Sequence, residues 1–233
     1  MHSRLGTYVS DAFYKQDNVE LVAGRDDADL EHGIERYGNR VAIWEDVPLV
    51  DEADKEQGGA SKSRPCEALR LAERLAELMD ERPTLSFGVI AFYRDQVDEI
   101  RDALVAHDVV VSHDGTFEIA ARYRDGFDDD GRPIERLRIG TVDAFQGMEF
   151  DVVLLSVTRS SPDPGQITDR LLWRRYGHLR LANRLCVAMS RQRRLLIAVG
   201  DRSMVTSHAG RQAVPELAQF EQMCERESAD VLV

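Results

Sequence analysis

Apolar positions fall into two rhythms along this chain, and the rhythm changes repeatedly. Phe87-Gly88-Val89-Ile90-Ala91-Phe92, Val152-Val153-Leu154-Leu155 and Leu195-Leu196-Ile197-Ala198-Val199 are continuous apolar runs, the pattern of parallel strands covered on both faces. Val41-Ala42-Ile43-Trp44 predicts a further strand, and a strand is expected over 138–143 before the one over 151–158. Between these runs the apolar residues recur at helical spacing. Leu5, Tyr8, Val9, Ala12 and Phe13 mark a short helix over 5–14, and Ala68, Leu71, Ala72, Leu75, Leu78 and Met79 mark a longer one. Pro65 suits the first turn of that second helix, and its stripe stops before Pro83. Val97, Ile100, Leu104 and Val105 predict the next helix. Leu181, Leu185, Ala188 and Met189 predict one at about 180–192, and a terminal helix is expected over 215–226. Strands alternating with helices imply an α/β fold, with a mostly parallel sheet joined by right-handed crossovers.

Two stretches break the rhythm. Residues 51–64, acidic and then Gly58-Gly59-Ala60-Ser61, read as a mobile surface loop. Residues 113–137 read as a polar insertion with at most a short helix or hairpin, and a loop is expected through Pro162-Asp163-Pro164-Gly165. No internal repeat is present. The whole chain, 1–233, is organised as one domain, which its 233 residues and 43% hydrophobic content allow.

Composition narrows the possible functions. No apolar run approaches the roughly 20 residues needed to cross a bilayer, and Met1-His2-Ser3-Arg4-Leu5 has nothing of a signal peptide, so no membrane partner is expected. Cys66, Cys186 and Cys224 are odd in number and lack CxxC spacing. They read as buried structural thiols in a reducing cytoplasm. The six histidines show no metal-ligand spacing, so no metal site is expected. A net charge of −12 argues against a protein that coats nucleic acid by bulk attraction, though not against a local basic track. The three lysines, Lys15, Lys55 and Lys62, decide one point. None follows the glycine that a phosphate-gripping Gly-Lys-Ser/Thr loop requires, so the chain has no Walker A loop.

The chemistry concentrates in two segments. Thr141-Val142-Asp143-Ala144-Phe145-Gln146-Gly147-Met148-Glu149 is a polar turn between two core strands. That is a costly place for Asp143, Gln146 and Glu149 unless they grip something. Ligands of open parallel sheets sit at the carboxyl ends of strands, and Gln146-Gly147 is expected there, with Glu149 in reach of a ribose hydroxyl. An ordinary turn of these residue types is the plainer reading. From Arg170 to Arg194 the chain carries eight arginines and no acidic residue. Arg191 and Arg193 stand at a helix end, where arginine caps the dipole or serves as a finger on a transferring phosphoryl group. Trp173 and Tyr176 could stack on bases. Anchoring a loop to the core is the favoured reading for both, because Trp is mostly buried.

These segments resemble superfamily 1 helicases, of the group that includes the nonsense-mediated-decay helicase. Residues 139–156 are similar to motif V, which reads roughly Ser/Thr-Val-Asp-Ala-Phe-Gln-Gly-x-Glu-x-Asp before an apolar strand. Asn183-Arg184-Leu185-Cys186-Val187-Ala188-Met189-Ser190-Arg191-Gln192-Arg193 resembles motif VI, with Cys186 for Asn and Ser190 for Thr. Gly88 to Gln96 is similar to motif IV, with Ala91-Phe92 for Thr-Pro, and Glu67-Ala68 fits the Glu-Ala that opens the preceding helix. Met1-His2 followed by Arg4-Leu5 looks like the tail of Gln-Tyr-Arg-Met-His-Pro, with Ser3 for Pro.

The resemblance implies the second RecA-like domain of a helicase, a P-loop-NTPase-type fold without its Walker A loop. It implies Arg191 as the finger on the γ-phosphate, with Gln146 and Gly147 at the phosphates, Glu149 at the ribose and Arg193 in support. Thr141, with Tyr93 and Gln96 of motif IV, would lie on nucleic acid. ATP with Mg²⁺ would be shared with an N-terminal RecA-like domain of the same protein, which would carry the Mg²⁺ ligands and without which the chain would be inactive. The track would be single-stranded DNA or RNA, followed 5′ to 3′. The alternatives are a non-catalytic module that binds nucleic acid or a protein partner, and an unrelated doubly wound domain that binds a nucleotide or small phosphate.

Overall fold

The computed structural model describes residues 1–15, 24–128, 130–162, 165 and 167–229. Asp129, Asp163 and Pro164, parts of two of the expected loops, lie outside them. In chain order the elements are α1 (Ser3–Val9, continued by a π turn over Ser10–Tyr14), β1 (Ala42–Asp46), α2 (Pro65–Glu81), β2 (Phe87–Ala91) and α3 (Arg94–Val105). The hairpin β3 (Val110–His113) and β4 (Thr116–Ile119), the short α4 (Ala121–Arg124), and the hairpin β5 (Asp125–Phe127) and β6 (Pro133–Glu135) follow. Then come β7 (Leu137–Thr141), β8 (Phe150–Ser156), α5 (Asp169–Tyr176), α6 (Ala182–Ala188), β9 (Gln192–Gly200), α7 (Ser203–Thr206), α8 (His208–Ala213) and α9 (Pro215–Ala229).

Among the described residues, five strands form one parallel sheet in the order β1-β9-β8-β2-β7. Side chains alternate across it, as the period of two requires. Ile90, Val153, Leu155, Leu196 and Ala198 face one way, against α1 and α5 to α9. Val89, Val152, Leu154, Ile197 and Val199 face the other way, against α2 and α3. Helices therefore cover both faces, as the resemblance implied, and this explains why the central strands read as unbroken apolar runs. The apolar stripe of α2 is buried as expected.

The polar stretches contain more structure than their composition suggests. Within 51–64, Asp51 caps a 3₁₀ turn over Glu52–Asp54, and Gln57 and Ser63 exchange backbone hydrogen bonds of 2.7 and 3.2 Å. The Ser61 hydroxyl accepts from the Asp95 N–H at 3.1 Å, tying the loop to the start of α3. Residues 113–137 hold parts of two hairpins rather than at most one.

The connection from β7 to β8 crosses β2, and glycine makes room for it. A Cβ on Gly88 would meet the rings of Phe145 and Phe150 at 3.0–3.1 Å, and one on Gly140 would meet Ala144 at 3.1 Å. The two rings stand edge to face, 5.6 Å apart, over this shallow floor. Gly88→Val is expected to lower unfolding stability by about 1–3 kcal/mol through overpacking, read from urea denaturation. An unchanged midpoint would mean that the crossover does not rest on this floor.

Candidate functional site

The crossover places the Gln-Gly turn at the opposite end of the sheet from the one expected. β7 ends at Thr141, a 3₁₀ turn covers Val142–Phe145, and residues 146–149 lead directly into the first residue of β8. Gln146 and Gly147 thus lie at the amino edge of β8. The reason is that the short link 142–149 must return the chain to the start of a parallel strand.

At that edge the two motif segments meet. The Phe150 N–H donates to the Arg191 carbonyl at 2.9 Å, and Arg184 pairs with Asp143 at 2.7 Å. Arg184 is what Asp143 grips. The half-buried Arg191 guanidinium is held from three sides. It donates from Nε to the Val187 carbonyl at 3.0 Å, near the last turn of α6, and from NH2 to the Ser190 hydroxyl at 2.8 Å. From NH1 it donates to the Met148 carbonyl at 3.2 Å, within the turn that follows Gly147. Helix capping and contact with the Gln-Gly turn are therefore both present. Gln146 and Glu149 are exposed. Gly147 has a φ of +78°, with open space where a Cβ would be. That conformation favours glycine and leaves the backbone approachable.

Arg193 is otherwise engaged. It reaches the buried Asp151 at 3.1 Å, while Arg194 donates to the same carboxylate at 2.9 Å and Ser86 donates to it through both N–H and hydroxyl. Burial works to raise the Asp151 pKa, but the Arg193 charge and the Ser86 bonds hold it below the usual value. The structure gives Arg193 a clasp between β9 and the Ser86 loop instead of a phosphate-facing position. Beside it the His2 N–H donates to the Arg193 carbonyl at 2.7 Å, so the Met1-His2 segment packs on the same edge.

The carboxyl edge carries the motif IV residues, and there the structure corrects the expectation for both side chains. Gln96 is fully buried, accepting from the Arg64 N–H at 2.7 Å and donating to the Ser156 hydroxyl at 3.1 Å. Tyr93 is buried with its ring stacked on His178 at 4.8 Å, and its hydroxyl accepts from the His178 N–H at 3.1 Å. Neither side chain is free for a strand of nucleic acid, because each joins loops of this edge. Thr141, half-buried, ends β7 here.

Other expectations divide. Tyr176 is fully buried and donates to the Met204 carbonyl at 2.8 Å, so it anchors α5. Trp173 does not, being 43% exposed. Cys224 is buried, but Cys66 and Cys186 are only half-buried, and the Cys186 thiol donates to the Tyr14 hydroxyl at 3.5 Å. Tyr14 thereby joins the rim beside α6, which only its spacing from the Met-His segment could have suggested. Among the described residues no cluster of three acidic, cysteine or histidine side chains could hold a metal ion, and no helix is long and apolar enough to cross a membrane.

Comparison with known proteins agrees with the resemblance. The family model described as AAA domain matches residues 1–203. A Gallus gallus protein bearing the name helicase MOV-10 is 27% identical over 209 residues, covering 82% of this chain and 19% of that protein. The DNA polymerase alpha-associated DNA helicase A of Saccharomyces cerevisiae is 28% identical over 199 residues, covering 83% of this chain and 26% of its own length. The chain thus spans about a fifth to a quarter of these two relatives. The crystal structure of the C-terminal domain of a possible DNA helicase from Lactobacillus plantarum is a loose likeness. Its TM-score is 0.40 at 15% identity, covering 78% of this chain and 89% of that one.

Proposed function

This chain belongs to the AAA-domain family, and from that membership we propose that it is the second motor domain of an ATP-driven helicase or translocase on single-stranded nucleic acid. It supplies motifs IV, V and VI and an arginine finger, Arg191, to a triphosphate site completed by another RecA-like domain. The observation that carries this reading is the hydrogen bond from the Arg191 guanidinium to the Met148 carbonyl. It joins the arginine of one motif to the Gln146-Gly147 turn of the other.

The residues present suit a triphosphate from one side only. Gly147 leaves its backbone open to anionic oxygens, Gln146 and Glu149 are exposed polar groups beside it, and Arg191 supplies fixed positive charge. No Walker A lysine is present, and the described residues hold no metal cluster. In this reading Mg²⁺ and most phosphate contacts fall to the other domain. The role of Arg191 is to neutralise charge as it builds on the transferring phosphoryl group. Closing and opening of the shared cleft alternates the grip of the carboxyl edge on the nucleic-acid backbone, with Thr141 at that edge.

The purified chain alone is expected to show no ATP turnover above background in a phosphate-release assay. Turnover of order 1 per second, ordinary for a complete enzyme, would overturn the shared-site reading. It would favour a self-sufficient nucleotide-binding domain.

A further inference from the structure

The exposed tryptophan of α5 is built like a platform. The Arg180 guanidinium lies 4.8 Å from the centre of the Trp173 ring and is held there by Asp169, 2.9 Å away. Arg170 stands one helical turn before Trp173, and Arg174, the residue after Trp173, lies on the face of Arg170 four residues on. Both are exposed, and neither side chain has an ion pair or hydrogen bond among the described residues. Two unpaired arginines flanking an exposed indole are unusual on a chain with a net charge of −12.

The platform is rigidly mounted. Arg159 donates to the carbonyls of Arg174 and Arg175 at the end of α5, and Tyr176 is pinned inside the core. Arg159 leaves the carboxyl edge two residues after Val157, which places α5 on the side of the sheet where Thr141 lies. A cavity of about 410 Å³ runs beside the helix, where Arg174, Lys55 and Lys62 line it together with Arg159, which is paired with Glu56 at 2.9 Å.

We propose that Trp173 stacks on a base of single-stranded nucleic acid, with Arg170 and Arg174 neutralising the flanking phosphates. Stacking on an aromatic ring is tolerant of sequence, and a cation already stacked on the ring fixes its orientation. This rests on the motor reading above and adds to it a contact outside motifs IV, V and VI.

The test uses the indole itself. The chain has two tryptophans, and Trp44, whose Nε1 donates to the Gly200 carbonyl at 3.1 Å, is replaced by Phe. Titrating Trp44→Phe with a dT oligonucleotide is expected to quench the remaining fluorescence. In the otherwise unaltered chain, Trp173→Ala is expected to weaken oligonucleotide binding by roughly 5- to 100-fold at fixed salt. Arg170→Gln with Arg174→Gln is expected to lower the slope of log affinity against log salt by about 1–2. Circular dichroism confirms the fold of each variant. Binding that persists without quenching and is unchanged in Trp173→Ala would overturn the platform and leave the motor reading standing. Equal quenching by heparin, which has no bases, would likewise reject stacking. Absence of binding to any single strand at low salt would overturn both.

Discussion

Arg191→Ala, introduced where this chain acts with a triphosphate-binding domain, is expected to lower ATP turnover by roughly 10³–10⁵-fold while ATP affinity stays within about tenfold. A finger acts mainly on charge that develops in the transition state, so its removal is felt in kcat more than in binding. Lysine should not rescue, because a point charge lacks the planar fork that meets two oxygens at once. In the chain as described the guanidinium rests on neutral acceptors, the Val187 and Met148 carbonyls and the Ser190 hydroxyl. Each such bond from a charged donor is worth about 1.5–3 kcal/mol net, and exchanging the Met148 carbonyl for an anionic phosphate oxygen more than replaces one of them, so the release is affordable and the alanine variant should still fold. Arg193→Ala makes the contrast. Its guanidinium is tied to Asp151, so it should lose stability before it loses turnover. A loss in Arg191→Ala confined to affinity, with kcat intact, would move that residue to a ground-state binding role.

What could be read from the sequence follows from where period and packing coincide. Val89 to Ala91, Val152 to Leu155 and Leu195 to Val199 are covered on both faces, so apolarity alone marked them as strands. α7 and α8 were not legible, since 4–6 residues are too few to establish a helical period. β9 begins at Gln192, three residues before its apolar run. There it pairs with Phe150 across an irregularity in register, and Gln192, Arg193 and Arg194 resemble loop until the partner strand is known. The pairing of Asp143 with Arg184 was legible only as a question, because sequence shows two opposite charges and not the crossover that joins them. Gln96 and Tyr93 misled for the converse reason. Polar side chains beside a cleft look available, yet both are consumed in hydrogen bonds across three chain segments. Burial frequencies misplaced Trp173, since residue type alone does not show that Arg180 and Asp169 would hold the indole at the surface.

The same buried carboxyl-edge network carries the largest expected effect on stability. Arg64 and Glu67 are both 0% exposed. The Glu67 carboxylate accepts from the Ser156 hydroxyl at 2.5 Å, from the Thr158 N–H at 2.7 Å and from Arg64 at 3.4 Å. Thr158 has a φ of +65°, so this bond also holds a backbone turn that a β-branched residue adopts reluctantly. Arg64 in turn donates to the Asp54 carbonyl at 2.7 Å and the Pro48 carbonyl at 3.2 Å. Burial pushes the Glu67 pKa up to about 7, against the opposing pull of Ser156, Arg64 and Thr158. The folded state thus holds the Glu67 proton more tightly than the unfolded chain does. Stability should fall as pH rises from about 4.5 towards 7, and the cost should be complete above 7, on the order of 3 kcal/mol. Glu67→Gln keeps an acceptor for Thr158 and should flatten that part of the profile. Arg64→Ala should do the opposite, stranding a buried carboxylate at about 3–5 kcal/mol at pH 8. Its cost should be smaller at pH 6, where Glu67 can take up a proton. Urea denaturation of the three proteins at pH 6 and pH 8 measures this directly. An Arg64→Ala cost independent of pH would mean that the arginine matters through its carbonyl contacts, and that Glu67 is not the group responding to pH.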